Sequence, residues 1–537
     1  MKEYKSTILV IILFCSLFYY SAPFQYGSGN NVEELPMIYK IAGFAEYEQD
    51  PLVQISLSQF NAGSIFVYAM GFVGSVVGIK GMPVVYFIVH LFTLVLLCFS
   101  IIRILKSLRL STGHSFLIVL LTLLIFNHYL HLIPNQRSLF WSYLDPEFIV
   151  VTILFTSINF FINSQLKAAA FFLFIGTLMH PLYALPIGGA YIIVALFSFF
   201  KNKTQALLEA GLYFICIIPY SVLLWFLSRQ QLDSVYDASL LHEFVRAPHH
   251  LIIPGWGSGN VRHYLRFFSS SFFMIGLIYF LQLQTSNKSQ GFVNTIKEKF
   301  NSGIQQVVSP LTKLGGILFI LMLYLGLASL VASFIRIPIL VQLTPYRMGL
   351  FVTVFLVCIL SSYLNKFFNQ KKVNASPKWL FYFAPLLITA LIFKTLDFST
   401  NVNNKNRLEA IQWIKETIPS NSLFLNYSDI DIRTDCFRSD FFCFKSIPLN
   451  SNGQIDWYER LLIYYNISDQ YFGQDYQKVA TIMNDKQHKV DIKNVVDNDY
   501  RLVPQYLLFA TEKPIVGYET YSLLFKNGDY KIYHLTK

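Results

Sequence analysis

The sequence predicts an all-α polytopic membrane domain of about 11 transmembrane helices followed by a small α/β domain. Three observations lead there. The chain of 537 residues is 54% hydrophobic and 14% charged, with mean hydropathy +0.46. Soluble chains carry about 25% charged residues. Apolar runs near the length that a bilayer requires recur from the N-terminus to about residue 396. Charge is also unevenly spread. Residues 400–537 hold 16 Lys/Arg against 17 Asp/Glu, leaving 26 basic and 14 acidic residues for the rest. That basic excess lies in short connections between apolar runs, the pattern of cytoplasmic loops rather than of a nucleic-acid groove, so no nucleic-acid partner is expected.

Taken in order, the first apolar run is Thr7–Tyr20, preceded by Lys2 and Lys5. It is similar to a signal peptide, with Ser21-Ala22 as a cleavage-like pair. Because further spans follow, it is predicted to stay as a first helix entering from the cytoplasm. Residues 22–60 form a polar stretch with Glu33, Glu34, Glu46, Glu48 and Asp50 against Lys40, expected outside. The apolar stretch 61–80 is rich in Gly and Ala. Counting it as a span would move Arg103, Lys106 and Arg109 outside, so it is predicted to be a helix lying on or dipping into the outer interface. Together these make an outer loop over 22–82.

Further spans are predicted at 83–104, 112–132, 146–164, 166–180, 182–200, 206–228, 266–284, 314–335, 346–365 and 379–396. The 166–180 run is short, as half of a broken helix would be. A second outer loop covers 229–265. This threading puts Arg103/Lys106/Arg109, Lys201/Lys203, Lys288/Lys297/Lys299/Lys313 and Lys366/Lys371/Lys372/Lys378 on one side. The expected organisation is therefore a multi-pass domain, 1–399, in the cytoplasmic (inner) membrane with a cytoplasmic N-terminus. Residues 400–537 follow as an extracytoplasmic α/β domain.

Within 400–537, Leu408, Ile411, Trp413 and Ile414 give Arg407–Thr417 a helical period. Ser422–Asn426 suits a strand, and Asp456–Tyr465 and Tyr476–Asn484 suit helices. Tyr521–Tyr533 reads as a hairpin, since Asn527-Gly528 between alternating apolar residues signals a type I′ turn. Cys15, Cys98, Cys216 and Cys358 fall in apolar runs as small hydrophobes. Cys436 and Cys443 form a disulfide if the domain is exported, or stay as two thiols; both readings are open.

Ionisable residues concentrate in the outward segments. Glu33 and Glu34, with Asp50 further on, suit a general base or a divalent-metal site, or a solvated acidic loop. His180, at the break Met179-His180-Pro181, is either functional or a helix cap. Arg246 beside His249 and His250 suits phosphate or metal, or belongs to a polar loop that merely folds over the membrane, and no standard zinc spacing is present. Arg347, in Thr344-Pro345-Tyr346-Arg347, can pair with a lipid phosphate or snorkel to the interface. A fifth group runs from Asn135-Gln136-Arg137 to Asp145-Pro146-Glu147 on the same side. No Walker motif, nucleophile elbow, HExxH or dinucleotide fingerprint occurs in a suitable context.

This arrangement resembles the C-type glycosyltransferase superfamily in its acidic first outer loop, interface helix, many spans and C-terminal outer domain. Glu33-Glu34-Leu35-Pro36 through Asp50-Pro51-Leu52 resembles the start of that loop, and Phe66–Gly81 its juxtamembrane helix. The whole chain is similar, loosely, to a bacterial membrane-protein family of that architecture. The similarity lies in Met179-His180-Pro181, Arg246-Ala247-Pro248-His249-His250 and a run from Trp413 through Arg438 and Lys445 to Trp457 and Arg460. The resemblance implies a polyprenyl-phosphate sugar donor, a loop carboxylate at Glu33, Glu34 or Asp50, and a phosphate-binding arginine at Arg246 or Arg347. His180, His249 and His250 would lie nearby. A divalent ion, Mg or Mn, would assist. This chain has Glu-Glu where the commonest pattern is Asp-Glu. The expected function is glycosyltransferase-like, with membrane lipid and a lipid-linked sugar as partners. Its rivals are a transporter or flippase for a lipid-linked saccharide and a non-catalytic scaffold of envelope assembly. The span cores are nearly free of charge, which favours surface chemistry over transport.

Overall fold

The computed structural model describes most of the chain. Apart from isolated positions, the residues it leaves out are 28–30, 116–140, 198–201, 228–240, 242–244, 246–257, 286–308, 335–344, 371–404, 449–450, 468–478, 480–481, 484–488, 498–502, 511–514 and 536–537. Predicted spans 112–132 and 379–396 fall almost wholly there, as does most of the second outer loop. The chain folds into two compact units. The first comprises Met1–Phe24, Ile88–Val222 and His249–Asp397; the second comprises Gln25–Phe87, Leu223–Pro248 and Phe398–Lys537.

In chain order the helices are α1 (Lys2–Ser21), α2 (Asn31–Ile41), α3 (Pro51–Ser58), α4 (Ser64–Val77), α5 (Met82–Ser107), α6 (Pro146–Ile162), α7 (Leu166–Met179), α8 (Pro181–Leu196), α9 (Lys203–Leu227), α10 (Ser258–Thr285), α11 (Pro310–Phe334) and α12 (Gly349–Gln370). Then come α13 (Lys405–Thr417), α14 (Ile432–Cys436), α15 (Ser451–Tyr464) and α16 (Ile492–Asp497). Among the described residues, five stretches are long and apolar enough to cross a membrane: α5, α9, and the parts of α10, α11 and α12 spanning Phe267–Gln284, Pro310–Ala328 and Gly349–Phe367. The chain is thus a mostly helical, membrane-spanning protein with a small α/β region.

Exposed residues explain why these helices need lipid. Val84, Ile88 and Phe92 recur every four residues on α5, as do Phe319, Leu323 and Leu327 on α11, and all are exposed. Such apolar stripes would be unfavourable in water. The buried faces interlock. Gly188 of α8 admits Ile217 of α9 so closely that a Cβ there would meet Cγ2 at 2.6 Å. Phe161 stacks on Tyr191 with ring centroids 4.1 Å apart. The Tyr191 hydroxyl donates to Ser157 Oγ at 3.1 Å, so the buried phenol keeps a partner. His90 is fully buried. Its Nε2 faces the Trp141 carbonyl at 2.7 Å, so Nε2 carries the proton and Nδ1 accepts from the Tyr19 hydroxyl at 2.7 Å.

One end of this unit gathers lysines. Lys106 Nζ donates to Thr7 Oγ1 at 2.9 Å, and Lys313 Nζ to Ser164 Oγ at 2.9 Å. Lys313 also donates to the Phe161 carbonyl at the end of α6, where the helix dipole favours a cation. The start of α6, the α7–α8 break and the start of α12 are the opposite ends of their helices.

The second unit combines α2–α4 with the C-terminal α/β region. The stretch 22–60, expected as a polar loop, is built largely of α2 and α3, because Val32, Leu35, Ile38 and Tyr39 bury one face of α2. Helix α4 coincides with the predicted interface helix. Phe66, Val67, Met70, Gly71 and Gly74 are buried, while Tyr68, Phe72 and Val76 are exposed. A five-stranded sheet has order β2-β1-β4-β7-β6: β1 (Leu423–Tyr427), β2 (Ser439–Asp440), β4 (Tyr506–Ala510), β6 (Ser522–Lys526) and β7 (Tyr530–His534). Strand β1 is parallel to β2 and β4, and β7 is antiparallel to β4 and β6. Two short strands, β3 (Val490–Asp491) and β5 (Ile515–Val516), pair separately. Ala410 and Ile414 of α13 pack on Phe424, Leu508 and Ile532 of the sheet.

The hairpin predicted at 521–533 forms, but not its turn type. Among the turn residues only Gly528 has positive φ, +79°, whereas type I′ needs it at both central positions. Cys436 and Cys443 are free thiols. Burial pushes the Cys436 thiol up to about 12.

Candidate functional site

The predicted site residues fall in different places. Glu33 and Glu34 occupy the first turn of α2, where the helix dipole favours negative charge. Both are half-buried. Asp50 lies in the same unit but is fully buried and committed to structure. Its Oδ1 accepts from Val53 N at 2.9 Å, capping α3, and its Oδ2 accepts from Asp440 N at 3.1 Å. His180 and Arg347 belong to the first unit. Arg246, His249 and His250 lie outside the described residues.

His180 and Arg347 meet on a residue that the sequence reading named only as part of a loop, Glu147. Asp145 caps α6 through Oδ1 accepting from Glu147 N at 2.7 Å, and Pro146 supplies the first helical residue. This fixes Glu147 in the first turn. Arg347, in the 3-10 turn Pro345–Met348 before α12, sets Nη1 2.9 Å from Glu147 Oε1; the side chains are 8% and 9% exposed. The Tyr183 hydroxyl donates to Glu147 Oε2 at 2.8 Å, and the Arg347 guanidinium carbon lies 5.2 Å from the Tyr183 ring centre. His180 sits extended between α7 and α8, with φ −161°. Arg347 Nη1 donates to its Nε2 at 3.2 Å. A guanidinium cannot accept, so Nε2 holds a lone pair and the imidazole is the neutral Nδ1–H form.

A second buried cluster, which sequence reasoning missed, joins α2 and α3 to the C-terminal region inside the second unit. Arg433 is 1% exposed. Its Nη2 donates to the Val32 carbonyl at 3.0 Å and to Ser446 Oγ at 2.5 Å. The Tyr47 hydroxyl donates to the Arg433 carbonyl at 2.6 Å. Burial opposes the Arg433 charge, but Cys443, Asp431, Asp50 and Asp440 more than offset it, so its pKa rises. Burial raises the Asp50 carboxyl, against the pull of Arg433, the backbone N–H groups of Val53 and Asp440, and Arg460. Burial raises Asp440 further, well above the carboxylate range; Arg433 opposes this, while Asp50 and Asp431 add to it. Burial thus assigns the stronger upward shift to Asp440 and the weaker to Asp50, with Arg433 opposing both.

That assignment has a measurable sign. A carboxyl raised on folding contributes stability that is complete below its unfolded pKa and lost as pH rises through the folded value. Asp440→Asn imitates the protonated acid. The variant should melt above the parent at pH 8 in detergent, and the gap should close as pH falls toward 4. A gap that widens on acidification would mean Asp440 is ionised in the fold.

Among the described residues, no group of three or more His, Cys, Asp or Glu side chains is placed to share a metal ion. Among those residues the divalent ion that the resemblance implies finds no ligand set, and His249 and His250 lie outside them. The signal for Glu147 was present as a capping run, Asp-Pro-Glu, before an apolar helix. Nothing in the local sequence marks Arg433, whose partners Val32 and Tyr47 stand 401 and 386 positions away.

Residues 405–463 match the profile of a domain of unknown function, DUF6798. A comparison with curated proteins finds no match. The matched segment runs from α13 to the end of α15 and includes Arg433, Asp440, Ser446 and Arg460.

Proposed function

We propose that this protein is a membrane glycosyltransferase of the C-type architecture, with about 11 spans. In this reading it takes a sugar from a polyprenyl-phosphate donor at the outer face of the cytoplasmic membrane, and the C-terminal α/β region lies on that side. The observation that carries the reading is the placement of Glu33 and Glu34. They start a helix packed closely on α4, whose other face exposes Tyr68, Phe72 and Val76. An exposed apolar face suits the bilayer interface, where the phosphate of a lipid-linked donor resides. A carboxylate there removes the proton from an acceptor hydroxyl. The acceptor oxygen bonds to the anomeric carbon, the carbon–oxygen bond to phosphate breaks, and polyprenyl phosphate leaves with the electron pair. Arg246 or Arg347 stabilises that leaving group. A phosphate approaching Arg347 must compete with Glu147, already 2.9 Å from it.

One observation favours transport instead. Helices α7 and α8, of 14 and 16 residues, break at His180 beside the buried Glu147–Arg347 pair. Broken helices lined by charge occur in transporters.

The test uses the purified full chain with polyprenyl-phosphate sugars, measuring retained donor and transferred sugar separately. Glu34→Gln should keep donor binding and abolish transfer, while Arg246→Lys should weaken binding. Glu33→Gln identifies which glutamate is the base. Transfer undiminished in both glutamate variants would overturn the reading. Sugar-lipid movement across proteoliposomes without transfer would establish the transporter. No donor binding by the parent would leave the scaffold.

A further inference from the structure

We infer that the segment matched by the domain of unknown function acts as the clamp that positions the acidic helix α2, with Arg433 as the positioning residue for Glu33 and Glu34. The consequence for catalysis rests on the proposed transferase reading; the clamp itself does not.

The chemistry is that of one buried cation bridging two segments. Val32 precedes the two glutamates, and its carbonyl accepts from Arg433 Nη2 at 3.0 Å. Ser446 Oγ reaches the same carbonyl at 3.3 Å and also accepts from Arg433. Three further links hold the same pair of segments. Tyr47 donates to the Arg433 carbonyl at 2.6 Å, Asp50 accepts from the Asp440 backbone at 3.1 Å, and Phe437 meets Tyr39 edge-on at 5.4 Å. Each handle on the C-terminal side, Arg433, Phe437, Asp440 and Ser446, falls within residues 405–463. A charged donor to a buried carbonyl is among the stronger hydrogen bonds, and removing it leaves that carbonyl with only the longer Ser446 bond. Asp431 is the cap of α14, accepting from Arg433 N and Thr434 N through Oδ1, so the backbone that carries the guanidinium is itself fixed. Helix α2 is thereby held from its first turn by a domain distant in sequence. Small changes in Arg433 should move Glu33 and Glu34 while the sheet stays intact.

Amide hydrogen exchange on the full chain in detergent tests this directly. Arg433→Met should speed exchange in peptides covering Asn31–Ile41 by about tenfold or more, the worth of a lost charge-assisted bond. Peptides covering β4 and β7 should keep the parent rate. Arg433→Lys keeps the charge but sets its ammonium on a shorter side chain than the one that carries Nη2 to both acceptors, so it should fall between. Should Arg433→Met unfold the region, Ser446→Ala provides the milder variant and should still loosen 31–41 selectively. Equal loosening of α2, β4 and β7 in Ser446→Ala and Arg433→Lys, or none in α2, would overturn the inference, making Arg433 only a core residue. In the transfer assay, Arg433→Lys should lower kcat with little change in donor KM and shift its pH profile. A parent without transferase activity removes the function reading, yet the exchange result still decides the clamp.

Discussion

Arg347→Leu is expected to destabilise the membrane unit by about 3–5 kcal/mol, because it leaves the Glu147 carboxylate buried without its cation. Glu147→Leu should cost a similar amount, since it strands the guanidinium and removes the acceptor of the Tyr183 hydroxyl. The double variant Glu147→Leu/Arg347→Leu should cost far less than the two together. Apolar side chains of comparable volume replace a buried pair without leaving an uncompensated charge. Apparent melting temperatures of the purified variants in detergent close the cycle. Additive losses would mean that the two groups act independently, contrary to their 2.9 Å contact. His180→Phe separates the histidine's part: it removes an acceptor from Arg347 but no charge, so its loss should be smaller than either single ion-pair variant.

Gly71→Ala is the second large effect expected. A Cβ at Gly71 would meet Cγ2 of Ile41 at 2.5 Å and its Cβ at 2.8 Å, so α4 can stay against α2 only if one helix shifts. Overpacking of this kind costs about 1–3 kcal/mol. Ile41→Ala in the same chain removes Cγ2, the nearer clashing atom, but keeps Cβ, so it should restore part of the loss. Gly189→Ala is the control, because nothing lies within 4 Å of a Cβ there. If Gly71→Ala melts like the parent, the close packing of α2 on α4 is not what holds the acidic helix against the interface helix.

Much of the fold was legible because its signals are local. Runs of apolar residues, interrupted by lysines, marked α5, α9, α11 and α12 to within a few residues of their observed ends. Asp145-Pro146 marked the start of α6, and Met179-His180-Pro181 the break between α7 and α8. Asn527-Gly528 marked the hairpin but not its turn geometry, since adjustment of β6, bulged between Leu523 and Phe525, is a property of paired strands. The stretch 22–60 was harder: its glutamates dominate the composition, while the apolar face formed by Val32, Leu35, Ile38 and Tyr39 gains meaning only against α4 and the C-terminal region.

The candidate sites divide along the same line. By itself, the sequence determined that this is a membrane-spanning chain with an α/β region near its end, and that its titratable residues gather between apolar runs. Hydrophobic periodicity and charge segregation need no knowledge of distant contacts. Only the tertiary structure decided the partners. It turned Asp50 inward as a cap facing Asp440, put Glu147 between Arg347 and Tyr183, and brought Arg433 to the Val32 carbonyl across 401 positions of sequence. A buried charge must find compensation wherever the fold supplies it, and that choice depends on three-dimensional packing rather than on neighbouring residues.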